Sequence, residues 1–336
     1  MTATTSIAGV VFRRLRAPED YAGMAVANQR ARESAGRPSA ITAADMAQFI
    51  GHLVNCDPER DIVIVELEGR IVGYSIVLWR DLTDGDRIFV NWSILEPAVR
   101  GPGVGEALRA WADGRMVAGA TGLSGHAPTH AVTFTWGDEA QGAALLASSG
   151  WTEHARGYEM LRPTLDAIPE IPLPDGLELR SLDASDAGRL WDALVDGFRD
   201  HRNMPEKSAD DRERFLEDRR QDASLWIVAF DGDEIAGGVI DLIDPDEPER
   251  DGRRLGYVEA VFTRPPWRRR GLARALVARG LERLRERGMT SAALSVDGAN
   301  PNQAMTLYED LGFVIASVET EWRKSVQSIQ ASEVVP

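Results

Sequence analysis

The chain is poor in cysteine and lysine. Cys56 stands alone among 336 residues, so no internal disulfide can form, which suits a reducing cytoplasm. It has no histidine partner in a recognisable motif and is no candidate nucleophile. Lys207 and Lys324 are the only lysines, and the formal net charge is -15. Such a chain lacks the cationic excess that holds phosphate backbones, which argues against a general nucleic-acid partner and leaves a cationic substrate easier to accommodate. Long apolar runs are also missing: no segment approaches roughly eighteen uninterrupted apolar residues, and the first residues carry no basic region followed by an apolar stretch. Neither a membrane span nor a secretory leader is expected, and a cytoplasmic location is. His52, His126, His130, His154 and His201 have no metal-ligand spacing, so no metal is expected. There is no Gly-x-x-x-x-Gly-Lys-Ser/Thr, and Gly103-x-Gly105 is followed by Leu108 where a dinucleotide fingerprint needs its third glycine. Phosphoryl transfer therefore lacks its lysine and its metal carboxylate.

What is present is a repeated order of elements. A strand is expected over 10–16, then helices to about Val54, a hairpin of 61–67 and 70–77 about Glu68-Gly69, a long strand over 87–95, and a glycine turn, Arg100-Gly101-Pro102-Gly103-Val104-Gly105, leading into a helix. A strand over 130–136, a helix over 139–148 and a closing strand over 151–161 follow. Pro163, Pro169, Pro172 and Pro174, ending at Asp175-Gly176, then read as a linker, because proline continues neither a helix nor a central strand. Beyond it the order begins again with strand 177–180, helices within 187–198 and 209–219, a hairpin of 225–230 and 234–240, strand 257–262 and the turn Arg268-Arg269-Arg270-Gly271-Leu272-Ala273. Arg268 follows Arg100 by 168 residues and Gly237 follows Gly73 by 164, which indicates a duplicated domain. The expected boundaries are 1–165, a linker at 166–176, and 177–336. Within each half, antiparallel hairpins surround one strand-turn-helix unit, an α+β arrangement with a mixed, mainly antiparallel sheet and helices on both faces.

The turn has a physical use. A helix N-terminus exposes unpaired N–H groups and the positive end of the peptide dipoles, so it attracts phosphate, and small residues let the ligand approach the backbone. Arg100, Gly101, Gly103, Val104 and Gly105, after Leu95, form one such cradle, and Arg268, Arg269, Arg270, Gly271, Leu272 and Ala273 form the other.

Arg-x-x-Gly-x-Gly/Ala between a strand and a helix resembles the coenzyme A pyrophosphate signature of the GNAT superfamily of N-acetyltransferases. The stretch 300–313, from Asn300 through Tyr308 to Gly312-Phe313, is similar to that family's downstream helix and following strand. The likeness covers about 177–324 and, less closely, 10–163, and so implies two tandem GNAT-like domains. It implies acetyl-CoA as acyl donor, no metal, and a small-molecule or peptide amine as acceptor. It implies backbone contacts from Val261, Phe262 and Thr263 to the pantetheine arm and thioester oxygen, a cofactor contact from Asn300, a general base at Glu259, and a proton for the thiolate from Tyr308. Each residue has a plainer reading as well: Glu259 as a solvent-facing strand carboxylate, Tyr308 as helix packing, Asn300 as a helix cap. Trp191 and Trp226 read first as core or pocket wall, and second as residues lining the acceptor site. Asp196, Asp200, Glu206 and Asp210 favour a cationic acceptor such as a polyamine, an aminoglycoside-like amine or a peptide amine.

Aligned on the turns, Glu259 falls on Asn91; aligned on Gly312-Phe313 and Gly150-Trp151, Tyr308 falls on Leu146. The first half thus keeps a cradle without either proton-transfer group, and catalysis is expected in the second. The rival expectation is a non-catalytic acyl-CoA-binding or regulatory protein, which would bind without turnover.

Overall fold

The computed structural model describes residues 9–35, 41–83, 85–100, 103–123, 129–137, 139–200, 209–218, 221–244, 252–298 and 304–329. The chain forms two compact units, one of Met1–Ala155 with Glu319–Pro336 and the other of Arg156–Val318.

The first unit contains β1 (Val10–Arg14), α1 (Tyr21–Ser34), α2 (Ala43–Gly51), α3 (Pro58–Asp61), β2 (Ile62–Leu67), β3 (Arg70–Asp81), β4 (Arg87–Leu95), α4 (Val104–Thr121), β5 (Thr129–Trp136), α5 (Ala140–Ser148) and the start of β6 (Thr152–Arg162). Its strands β1 to β4 pair antiparallel in sequence order, and β4 pairs β5 in parallel. The strand alternation divides the core. Val63 and Val65 face α4 through Leu108, Ala112 and Met116, whereas Ile62 and Ile64 face α1 and α2 through Met24, Met46 and Ile50.

The second unit contains the rest of β6, then β7 (Glu178–Arg180), α6 (Ala187–Phe198), α7 (Ala209–Glu217), β8 (Trp226–Asp231), β9 (Glu234–Leu242), β10 (Leu255–Thr263), α8 (Leu272–Glu286), β11 (Ser291–Asp297), α9 (Ala304–Asp310) and the start of β12 (Val314–Ser325). Ile227, Ala229 and Val239 pack under Leu276, Leu281 and Leu284 of α8. Trp226, Val228 and Ile240 pack under Leu190, Trp191 and Leu194 of α6. Burying one such side chain contributes roughly 1.5–3 kcal/mol, which fixes both helices on the sheet.

The duplication is visible in fine detail. The register slips between Val65 and Glu66 against β3, and between Ala229 and Phe230 against β9. A Cβ on Gly73 would lie 2.5 Å from Ile94 O, and one on Gly237 would lie 2.7 Å from Phe262 O. Both glycines are required because a neighbouring strand backbone presses on them.

The division differs from the sequence expectation in two respects. Glu319 to Ser325 of β12 pair with β5 of the first unit, where Trp322 is buried and donates to Thr135 Oγ1 at 2.8 Å. Gly157 to Arg162 of β6 pair with β11 of the second unit, where Met160 is buried. Each unit is therefore completed by a strand from the opposite part of the sequence, a pairing that hydrophobic alternation cannot specify because both strands carry the same pattern. The proline-rich segment is also packed against the second unit: Ile168, Ile171 and Leu173 lie on its core, and Leu165 N donates to Thr290 O at 3.0 Å. Proline excluded regular structure there, and the alternating apolar residues supplied the anchor.

Among the described residues, no helix is long and apolar enough to cross a membrane, and no group of three His, Cys, Asp or Glu could hold a metal ion.

Candidate active site

In the second unit, β10 pairs β11 in parallel only through Leu255–Tyr257. From Val258 onward the strand lines a cavity of about 440 Å³. Against β9 its register slips between Val258 and Ala260, so Glu259 is the extra residue of a β-bulge. A bulge re-aims the side chain it carries, and Glu259 lines the cavity at an exposed position. Tyr308 of α9 lines the same cavity. Its ring is buried and packs edge-on against Phe313, with centroids 5.9 Å apart. Burial pushes its phenol up to about 12, which keeps the O–H form at neutral pH. Tyr308 thus packs on the helix face, as its plainer reading has it, and also lines the cavity.

Val261, Phe262 and Thr263 also line the cavity. The Phe262 side chain is buried under Gly197 and Gly238, so only its backbone is available to a ligand. Thr263 Oγ1 is buried without a hydrogen-bond partner, an orphan that a ligand amide can satisfy. Gly271 takes φ +84, with nothing within 4 Å of the place a Cβ would occupy, and Leu272 and Ala273 open α8 beside it. Arg269 also adopts a left-handed φ of 62. The arginines divide by task. Arg268 is engaged by the protein: Nε donates to Thr263 O at 3.0 Å, and the other nitrogens reach Gly197 O at 3.0 Å and Asp200 at 2.6 Å. Arg270 donates to Asp175 O at 2.9 Å. Arg269 and Arg274 line the cavity, the latter 3.0 Å from Asp310. An open helix start, an orphaned hydroxyl and three guanidiniums on one cavity fit a ligand carrying a diphosphate and an amide arm. Asn300 lies outside the described residues.

The cavity residues that the sequence reading did not assign to the site include Arg274, and Ser295, Val296 and Asp297 on β11. The internal alignment could have found Arg274, because Glu106 holds its place in the first half with opposite charge. The β11 residues carried no local signal. Of the two readings of Trp191 and Trp226 the core one holds, Trp191 against Phe215 at 5.2 Å and Trp226 donating to Gln221 at 3.0 Å, and the acceptor-wall one is corrected for this cavity, which neither lines. Asp196 is paired with Arg264 at 2.6 Å and Asp200 with Arg268, which removes them as dedicated cation ligands. Glu206 and the Asp210 side chain lie outside what is described.

The first unit is built alike but arranged differently. Arg100 Nε donates to Leu95 O at 2.9 Å, as Arg268 does to Thr263 O. Trp151 N donates to Leu146 O and Phe313 N to Tyr308 O, each at 3.0 Å, so Leu146 and Tyr308 are structural equivalents. At the cradle, however, Gly103 N donates to the Glu106 carboxylate at 2.6 Å, and Arg100 pairs with Glu139 at 3.3 Å. Val104 is buried and opens α4, with Gly105 next in its first turn; Gly101 lies outside the described residues. Asn91 is buried on a regular strand, giving its amide to Ser75 and Ile76 O and accepting from Arg109, Ser93 and Thr133. With Thr133, it carries the parallel pairing of β4 and β5 as far as residue 91, so this cleft opens later than its counterpart.

The fold is that of an acetyltransferase. The profile described as "Acetyltransferase (GNAT) family" matches residues 189–313, all within the second unit. A mycothiol acetyltransferase of Thermomonospora curvata is 31% identical over 251 residues, 71% of this chain and 80% of that protein. One from Thermobispora bispora is 29% identical over 232 residues, 69% of this chain and 74% of the relative. Among solved structures, a GCN5-related N-acetyltransferase from Sphaerobacter thermophilus matches with a TM-score of 0.72 at 22% identity, covering 95% of this chain and 96% of that one. A tandem GNAT protein from the clavulanic acid biosynthesis pathway matches with a TM-score of 0.65 at 16% identity, covering 94% and 98%. The chain belongs to the GNAT family of acetyltransferases and is an acyltransferase with tandem GNAT architecture.

Proposed function

We propose that the second unit transfers an acetyl group from acetyl-CoA directly to an amine, with Glu259 as base and Tyr308 as acid. The observation that carries this reading is the bulge at Glu259, which brings a carboxylate to the cavity that also holds the Tyr308 phenol and the start of α8. The thioester supplies an activated acyl carbon and a thiol leaving group. Arg269, Arg274 and the N–H groups at Gly271–Ala273 would hold the diphosphate, and Thr263 Oγ1 with the β10 backbone would hold the amide arm. Glu259 would take the ammonium proton, directly or through water, freeing the nitrogen lone pair for the acyl carbon. As the C–N bond forms and the C–S bond breaks, the Tyr308 O–H would give its proton to sulfur, and the second proton that the nitrogen sheds in becoming an amide would return through water to the phenolate. A phenol raised by burial supports that role because it arrives protonated. The relatives' name, mycothiol acetyltransferase, supports acetyl transfer; for this chain the acceptor is proposed only as a small-molecule or peptide amine.

The first cradle is left out of the catalytic proposal, since Glu106 already takes the Gly103 N–H and Leu146 stands where the acid would be. A thiol-release assay with acetyl-CoA and a panel of amines tests the reading. Acetyl-CoA-dependent thiol release with at least one amine is expected, and no coenzyme A binding to the full chain would overturn it.

A further inference from the structure

The first unit holds a cavity of about 360 Å³ between α1, α2 and the ends of β4 and β5. Its walls are aromatic: Phe49, Tyr74, Trp92, Phe134 and Trp136, with the Phe49 and Trp92 centroids 5.9 Å apart. Its charge is opposite to that of the second unit's cavity. Asp45, Glu139 and Glu319 line it against Arg32 and Arg100, whereas Glu259 and Asp297 in the other cavity face Arg268, Arg269 and Arg274. Of the cradle it touches only Leu95 and Arg100, the latter paired with Glu139 at 3.3 Å, and none of Gly103, Val104 or Gly105 at the helix start lines it. A second, independent observation concerns Asn28. Its amide nitrogen donates to Tyr74 Oη at 2.7 Å, and its Oδ1 is buried in the cavity wall without a partner. A buried acceptor left open is costly unless something donates to it.

We propose that this cavity binds a small organic cation: a protonated amine on a flat apolar or aromatic body. The aromatic faces offer negative quadrupoles to the cation and area to its body. The carboxylate excess balances the charge, and Asn28 Oδ1 takes the ammonium N–H. An anionic coenzyme is disfavoured by the same features. The site is therefore a non-catalytic ligand site, since Asn91 and Leu146 stand where the second unit has Glu259 and Tyr308. It does not depend on acetyl transfer in the second unit.

The experiment is calorimetric titration of the full chain with protonated N,N-dimethylphenethylamine, which carries an N–H donor and yields no stable acetyl amide. 2-Phenylethanol serves as the neutral analogue. One equivalent of the amine is expected to bind, with the alcohol about tenfold or more weaker, the scale of a desolvated cation–aromatic contact. Glu319→Gln and Phe134→Leu are each expected to weaken the amine by about 3- to 30-fold, and saturating coenzyme A to leave its affinity unchanged. Should Phe134→Leu fail to fold, the isosteric Glu319→Gln keeps the test. No binding up to about 10 mM, the weak limit for a small specific site, overturns the proposal. So does equal affinity for the alcohol, displacement by coenzyme A, or indifference to the substitutions.

Discussion

The Gly103 N–H donates to the Glu106 carboxylate at 2.6 Å, within the same turn that should cradle an anion. In the second unit Arg274 stands at the equivalent position and lines the cavity. Two turns of the same sequence type thus present opposite charges to a phosphate. Coenzyme A is predicted to bind once per chain. Arg274→Glu should weaken it by about 10- to 100-fold, the value of roughly one or two charge-assisted hydrogen bonds. Calorimetric stoichiometry checks both points, and two equivalents per chain would speak against the charge argument.

Asp241 and Gly280 form a pair whose counterparts in the first unit are Val77 and Ala112. A Cβ on Gly280 would lie 2.5 Å from Asp241 Oδ2, and both Asp241 oxygens are buried without a partner. Burial raises this carboxyl well above its ordinary value, with Arg283 opposing weakly. The folded state therefore keeps a proton that the unfolded state loses, and stability should fall as pH rises from about 4 toward the raised folded value. Asp241→Val with Gly280→Ala restores the apolar pair. It should flatten that decline and stabilise the protein by about 1–3 kcal/mol near neutral pH, the usual cost of an unsatisfied buried polar group. Urea unfolding at acid and neutral pH measures it; an unchanged slope contradicts it.

Much of this was legible in the sequence, for definable reasons. Strands, hairpins and turns follow from alternation and from Glu68-Gly69 or Asp231-Gly232, which are local signals. The bulge at Glu259 was not legible, since no side chain announces a register slip against β9. Nor was the crossing of β6 and β12, because Met160 and Trp322 are equally apolar and only three-dimensional register tells which core each enters. Arg268 and Asp200 were each read by charge as ligand groups, and they satisfy one another.

Cys56 is half-buried, and its thiol is pushed up to about 12 by burial, with Asp61 and Asp57 adding and Arg115 opposing. Only the thiolate alkylates. Iodoacetamide near pH 8 should modify it at least about a hundredfold more slowly than a free thiol of ordinary pKa near 8.5. Mass spectrometry over time checks this, and rapid modification would refute the assignment.

Tyr308 should titrate late. The ultraviolet difference between the wild type and Tyr308→Phe, followed through alkaline pH, is expected to show one phenol ionising near 12. A midpoint close to the ordinary tyrosine value of about 10 would mean that water reaches the ring freely.

The most direct test of the central claim is single-turnover acetyl transfer by Glu259→Gln and Tyr308→Phe, with coenzyme A affinity measured on the same preparations. Acid–base assistance by these groups predicts unchanged affinity and a rate lowered by about 10²- to 10⁴-fold in each variant. Wild-type rates in both would contradict the assignment of chemistry to this cavity.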